Sequence, residues 1–261
     1  MVHSFFQENR MIIATYNIWN NETNLLARKP HILREIMECD ADVIALQEVR
    51  DKVLAQELAR NADYPTCYCQ CFPDEEECLC IMSRLPVAAS GSWMKECNAI
   101  YAVFQTEEKC FSVINTHLSW DSAAEREKQI VAIIEHAEQL PEGNIYLLGD
   151  FNCSPASDVQ RFLMGECLLN HQEAKPRWYD LAVSFSERKE MQPYATLDFR
   201  KNPNLKGNSI ENSERFDRIL IRNPYPRKFP ELIRVTLFGQ HMDEESGLCA
   251  SDHYGVLAEL K

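Results

Sequence analysis

The stretch NIYLLGDFNCSP, residues 144–155, opens with an apolar run, closes it on Gly149 and Asp150, and sets Asn152 two residues further on. The run is too short for a typical helix and predicts a buried strand. A carboxylate closing a strand is ordinarily a turn former or a solvated end, so Asp150 alone says little. The same pattern recurs along the chain. MIIATYN (11–17) ends on Asn17, DVIALQE (42–48) on Glu48 and CFSVINTH (110–117) on His117. RFDRILI (215–221) carries Asp217 near its start, and DHYGVLAEL (252–260) begins with Asp252 and His253. Rigid strands can aim such ends at a common point.

The segments between them supply the rest of a layered domain. KPHILREIMEC (29–39) places Ile32, Leu33, Ile36 and Met37 on helical spacing behind Pro30, which suits a first-turn position. AAEREKQIVAIIEHAEQL (123–140) puts Ile130, Ile133, Ile134 and Ala137 on one helical face. IYAVFQT (100–106) and CFSVINTH predict a hairpin through a short polar turn at 107–109, and IRVTLFG (233–239) predicts a further strand. A long polar, Pro-containing region covers 171–212. With no repeat, linker or low-complexity tract, the expectation is an N-terminal extension over residues 1–10 and one domain of packed sheets and covering helices over 11–261.

Composition narrows the function classes. The chain has 261 residues, 45% of them hydrophobic, enough for a substantial core. MVHSFFQENR (1–10) has no apolar signal core, and no later window approaches the roughly 18 apolar residues of a membrane span. An odd count of 11 cysteines without an export signal predicts free thiols in a reducing compartment, hence a cytoplasmic protein. A net charge of −13 argues against a strong non-specific grip on nucleic acid. It leaves a phosphate substrate open, because screening over about 8 Å lets a local patch act alone.

Converging carboxylates repel: two like charges ~4 Å apart at an effective dielectric of about 20 cost on the order of 4 kcal/mol. A cation or bound protons must offset that. Carboxylate and amide oxygens select a hard ion, Mg²⁺ or Mn²⁺. Such an ion beside two histidines and several amide donors describes a phosphoester-cleaving site.

TYN (15–17), LQEVRD (46–51), NTHL (115–118), GDFNCSP (149–155), FDRIL (216–220) and SDH (251–253), in that order, resemble the motifs of the endonuclease/exonuclease/phosphatase superfamily of Mg²⁺-dependent phosphohydrolases. The resemblance implies an α/β four-layer αββα sandwich, with two mixed β-sheets face to face, helices outside, and the active site at one end of the sheets. It also implies roles: Glu48 as main metal ligand assisted by Asn17 and Asp252, Asp150 orienting or deprotonating the attacking water, Asn152 holding the phosphate or nucleophile. His253 would contact the scissile phosphate, oriented and kept protonated by Asp217. His117 resembles the members that use His there, among them pancreatic-type deoxyribonucleases, sphingomyelinases and tyrosyl-DNA phosphodiesterases.

The expected activity is therefore a divalent-metal-dependent phosphodiesterase or nuclease. Its expected partner is a phosphoester, nucleic acid among the candidates, with neither a membrane nor an obligate protein partner. The alternatives are an inositol-phosphate or other small-phosphoester phosphatase and a catalytically silent binding module. The first is disfavoured by GDFNCS where those phosphatases read GDLNYR; the second, by the presence of all the acids and both histidines. QEVRD leaves Arg50 open as a backbone contact or a surface ion-pair partner. Thr196 aligns loosely with a family Thr-Trp pair, but Leu197 replaces the Trp.

One motif stands apart. TCYCQCFPDEEECLC (66–80) alternates Cys67, Cys69 and Cys71, then Cys78 and Cys80, around a Pro-started acidic turn. Period-two spacing predicts a hairpin with one cysteine-lined face, packed as small free hydrophobes. The C-x₂₋₄-C spacing of common zinc sites is absent. ECLCIMSRLP resembles the family strand written EGxAILSR. By that resemblance Glu77, on the opposite face, is either the acid that orients His117 or the last acid of a solvated turn.

Overall fold

The structure, a computed structural model, describes residues 10–73, 76–105 and 110–261, and only the backbone of 22 and 23. The predicted extension, apart from Arg10, and the turn at 107–109 lie outside the described residues, as do two residues of the acidic turn. In chain order the elements are β1 (Met11–Asn17), α1 (Glu22–Cys39), β2 (Val43–Val49), α2 (Lys52–Asn61), β3 (Thr66–Cys71), β4 (Cys78–Ser83), β5 (Val87–Ser92), α3 (Met94–Cys97), β6 (Ala99–Gln105) and β7 (Cys110–His117). There follow α4 (Ala123–Ala137), β8 (Asn144–Asp150), α5 (Asp158–Leu163), β9 (Trp178–Asp180), α6 (Leu181–Arg188), a 3₁₀ turn at Pro203–Leu205, β10 (Asp217–Arg222), β11 (Leu232–Phe238) and β12 (Gly255–Leu260).

The strands form two mixed six-stranded sheets, ordered β11-β12-β1-β2-β4-β3 and β5-β6-β7-β8-β10-β9. β1 and β2 are parallel, as are β7 and β8, and the other pairs are antiparallel. Alternation sorts each strand between two apolar layers. From β1, Met11 and Ile13 join Val43, Ala45, Leu79, Ile81, Val113, Tyr146, Leu148 and Ile219 between the sheets. Ile12, Ala14 and Tyr16 instead face α1 and α2. On the far side, Ile114, Ile145, Leu147 and Leu220 face Ile130, Ile133 and Ile134 of α4 and Phe162 of α5. The result is the expected αββα order.

The inward rows change character at one end. Met11 and Ile13 are followed by Thr15 and Asn17, Val43 and Ala45 by Gln47, Val113 by Asn115 and His117, Leu148 by Asp150. In sheet two the register then sets His117, Asp150 and Asp217 side by side on three adjacent strands. Gly149 lets this row close up. At φ +140°, a side-chain carbon there would stand 1.9 Å from the Thr116 carbonyl.

The polar region 171–212, in which the sequence names no element, carries β9 and α6, capped by the Asp180 carboxylate on the Ala182 and Val183 amides. Two expectations need correction. α1 begins at Glu22, so Pro30 lies inside the helix, not in its first turn, and contributes no N–H there. The cysteines are not all free thiols: antiparallel register sets Cys71 opposite Cys78, and the two form a disulfide. The cysteine-lined face itself is present. Cys78 and Cys80 are fully buried with Leu54, Ala55 and Leu58 of α2, and Cys67, Cys69 and Cys71 pack against them.

Candidate active site

The sheet-end row delivers Asp150 to the centre of a polar cluster. Its carboxylate is almost wholly buried. Asn17 Nδ2 donates to Asp150 Oδ2 (3.0 Å) and to Glu48 Oε1 (2.8 Å), so one amide joins acids from the two sheets. His117 Nε2 lies 3.7 Å from Asp150 Oδ2 and His253 Nδ1 lies 3.8 Å from it, on the two flanks. Each histidine has its own acid: His117 Nδ1 is 2.7 Å from Glu77 Oε1, and His253 Nδ1 is 2.8 Å from Asp217 Oδ2. Asn152 stands at φ 47°, its N–H donating to Asp150 Oδ1 (2.8 Å) and its amide to the Leu118 carbonyl (2.9 Å).

Glu48 reaches this cluster only because β2 breaks its alternation. Period two would turn it outward, the side of Leu46. A bulge leaves Gln47 and Glu48 together opposite Leu79, and Glu48 adopts φ 55°. Val49 then returns to the outer layer while Glu48 accepts from Asn17 and, through Oε2, from the Asn20 N–H (2.9 Å).

The charges are arranged as compensating pairs. Burial alone would lower the His117 pKa, but Glu77, Asp150 and Glu48 overcome it and hold the ring at about 9. Burial also opposes charging of His253, and Asp217 with Asp150 nevertheless keeps its pKa well above the ordinary histidine value. Asp150 stays below the usual carboxylate range in spite of burial, because the two histidines and two hydrogen-bond donors favour its anion. Asp252 is different: burial, with the neighbouring Glu48 charge adding, pushes it up to about 6.

Glu48 and Asp252 are neighbouring oxygen donors, and the Glu48 charge adds to the cost of ionising Asp252, a cost that a divalent ion placed between them would offset. Asn17 presents its amide nitrogen to the acids, while its oxygen accepts from the Trp19 N–H (2.9 Å). To serve as a ligand the amide would turn over. The donor atoms of Glu48, His117 and Asp150 lie within 4.8 Å of one another, as do those of Asp150, Asp217 and His253.

The supporting residues escaped the sequence reading. Gln47 donates to Thr15 Oγ1 (3.0 Å) and to Asn115 Oδ1 (2.6 Å), and Asn115 donates to the Leu46 and Cys80 carbonyls (2.9 Å each). This fully buried layer ties the sheets together beneath the site. Each member sits two residues before a candidate site residue on the same inward row, or beside one, which is the signal that could have found it. Arg28 of α1, also buried, donates to the carbonyls of Ile18, Trp19 and Ala250 and so braces the ends of β1 and of the Ser251–His253 segment. Thr196 is wholly buried, and its hydroxyl accepts from the Phe216 and Asp217 N–H groups (3.0 and 3.1 Å). It anchors Asp217. Arg50 is half-buried at the end of β2.

Comparison with known proteins agrees with this architecture. The model of the Endonuclease/Exonuclease/phosphatase family matches residues 14–253. No curated protein sequence matches. TDP2 of D. rerio complexed with single strand DNA product is 21% identical, covering 97% of this chain and 100% of that one, with a TM-score of 0.77. Truncated TDP2 of Caenorhabditis elegans is 18% identical over 96% and 97%, at 0.73. An endonuclease/exonuclease/phosphatase of Bacteroides vulgatus is 18% identical over 97% and 99%, at 0.73. These likenesses carry the fold, and the family match covers both ends of the motif series. With two mixed sheets, flanking helices and buried acidic and histidine groups at one sheet end, the chain belongs to the Endonuclease/Exonuclease/phosphatase family.

Proposed function

We propose that the protein is a divalent-cation-dependent phosphodiesterase, acting on nucleic acid or a chemically similar phosphodiester with Mg²⁺ or Mn²⁺. The observation that carries this reading is the pair of histidine–carboxylate couples flanking Asp150. Glu48 and Asp252, with Asn17 after rotation of its amide, would hold the cation. Bound there, the ion would supply positive charge to phosphoryl oxygens.

The chain's own groups account for the remaining steps. Charged His117 and His253 donate hydrogen bonds to the non-bridging oxygens, where negative charge grows as the phosphorus becomes five-coordinate. Asp150, kept ionised between them, accepts a proton from the attacking water as its oxygen bonds to phosphorus; the ester P–O bond opposite breaks, and the departing alkoxide takes a proton from solvent. Asn152, fixed by its bond to Leu118, offers a donor to the phosphate or the nucleophile. Glu77 and Asp217 keep the two rings charged and aimed. Arg50, two residues after Glu48 in the stretch QEVRD, would be a backbone contact for a polymeric substrate.

The DNA product held by the D. rerio relative makes single-stranded DNA the first polymer to test. No helix of the described residues is long and apolar enough to cross a membrane. Purified protein with Mg²⁺ or Mn²⁺ is expected to hydrolyse bis-p-nitrophenyl phosphate and short single-stranded DNA, and to stop on chelation. Absence of turnover on every phosphoester tested, with binding retained, would replace this reading by a catalytically silent binding module.

A further inference from the structure

The cysteine face of the β3–β4 hairpin takes no part in the chemistry above, because Glu77 and the cysteines point to opposite sides of β4. Five sulfurs meet there. Cys69 Sγ lies within 4.8 Å of both sulfurs of the Cys71–Cys78 disulfide. Cys80 is within hydrogen-bonding reach of Cys69, and its sulfur is 3.5 Å from Cys67 Sγ. A purely apolar face would be as well filled by Val or Ile, whose β-branching suits a strand. Here a covalent sulfur pair instead has free thiols against it on the same face.

The sequence argument against zinc concerns a single loop, in which C-x₂₋₄-C wraps the ion. Two antiparallel strands offer a different route. Register sets Cys69 opposite Cys80 and Cys71 opposite Cys78, so two C-x-C pairs form the corners of one square. A tetrathiolate ion with metal–sulfur bonds of about 2.3 Å has sulfur–sulfur edges of about 3.8 Å. Cys69 Sγ, within 4.8 Å of the Cys71 and Cys78 sulfurs and within hydrogen-bonding reach of Cys80, stands at separations compatible with that edge, and Cys71 and Cys78, bonded in this form, part on reduction. Cys69 and Cys71 are only partly buried, which leaves a way in, and Cys78 and Cys80 are buried under α2.

We propose that this face is a thiolate site for a zinc-class cation, formed by Cys69, Cys71, Cys78 and Cys80 with Cys67 adjoining, and that the Cys71–Cys78 disulfide is its oxidised, metal-free form. Two molecules of a small thiol convert one form to the other. They leave as their own disulfide, and the two electrons and two protons they give up make Cys71 and Cys78 thiols. Binding of one divalent cation then releases the protons of four thiols. The donors are soft sulfur, unlike the oxygen donors beside Asp150, so the two sites sort ions by class.

The test uses the whole protein, reduced with a phosphine, freed of reductant under inert gas and titrated with Co²⁺ and then Zn²⁺. The expected result is a thiolate-to-cobalt charge-transfer band that saturates at about one equivalent and is displaced by Zn²⁺. Cys69→Ser and Cys80→Ser should each lose affinity by more than the roughly 10- to 100-fold typical of removing a mere outer partner. Unreduced protein should give no band. No band in the reduced wild type, or one unchanged in Cys69→Ser, would overturn the proposal; Cys69 is only partly buried, so that variant remains decisive if Cys80→Ser, at a fully buried position, fails to fold. Glu48→Gln should leave the band intact, and failure of phosphoesterase activity would not touch it.

Discussion

His253 and His117 flank Asp150 at nearly equal distances, each with its own acid, yet they are held by different means. Asp217 is fully buried at the start of a central strand, anchored through Thr196, and His253 leads into β12 behind Ser251. Glu77 is partly exposed at the end of a hairpin, next to Cys78. The first couple is part of the core. The second is brought to the core by a loop, held by a Phe72 N–H bond to the Glu77 carbonyl (2.8 Å) and by Asn20 bonded to Glu76 (2.6 Å). Equal geometry therefore conceals unequal support, and substitutions should separate the two.

The largest effect belongs to the group they share. Asp150→Asn keeps the size of the side chain but removes the charge that both rings face, and turnover should fall by about 10⁴-fold, the upper end for general acid–base residues. Near-normal rates on a phosphodiester would remove Asp150 from the mechanism. Asp217→Ala comes next. It leaves a buried ring without its acid, so turnover should drop roughly 10²- to 10³-fold, and urea unfolding should register a loss of about 3–5 kcal/mol. An unchanged unfolding midpoint would show that the Asp217–His253 couple is not structural.

Glu77→Gln tests the looser couple. His117 is held at about 9, so it carries its charge at neutral pH and loses it as pH rises through that value. The same shift adds folding stability that is fully present below the ordinary histidine range and is lost as pH rises through about 9. Removing the Glu77 charge should move the alkaline limb of the pH–rate profile down toward the ordinary histidine value of about 6.5 and lower turnover about 10-fold at neutral pH. Unfolding at neutral pH should weaken in step with the limb, by about 1.4 kcal/mol for each pH unit that the limb moves. A limb that stays in place would make Glu77 a turn acid and nothing more.

What the sequence disclosed follows the same division. The strands of the site have inward rows that are apolar until the last one or two positions, and this pattern predicts both the sheets and the convergence of Asn17, His117, Asp150 and Asp217 at one end. Glu48 was found as the end of an apolar run and by its motif, but alternation alone turns it outward and only the bulge at φ 55° brings it back. α6 and β9 were illegible because short elements in a polar stretch carry too few periodic positions to count. Pairing partners are longer-range still: the alternating cysteines predicted a shared face, while which sulfurs meet depends on a hairpin register that no local pattern states.

Thr196→Val should give the smallest effect on rate and the sharpest division between the couples. Valine matches the shape but leaves the Phe216 and Asp217 N–H groups without an acceptor in a fully buried place, at a cost of about 1–3 kcal/mol. The start of β10 should loosen, carrying Asp217 with it, and turnover should fall only several-fold, since the acid itself remains. Thr196 touches nothing of the Glu77–His117 couple. The alkaline limb set by His117 should therefore stay near 9 in this variant. If it moves as far as in Glu77→Gln, the two couples are mechanically one unit, and the difference in their support has no consequence for the site.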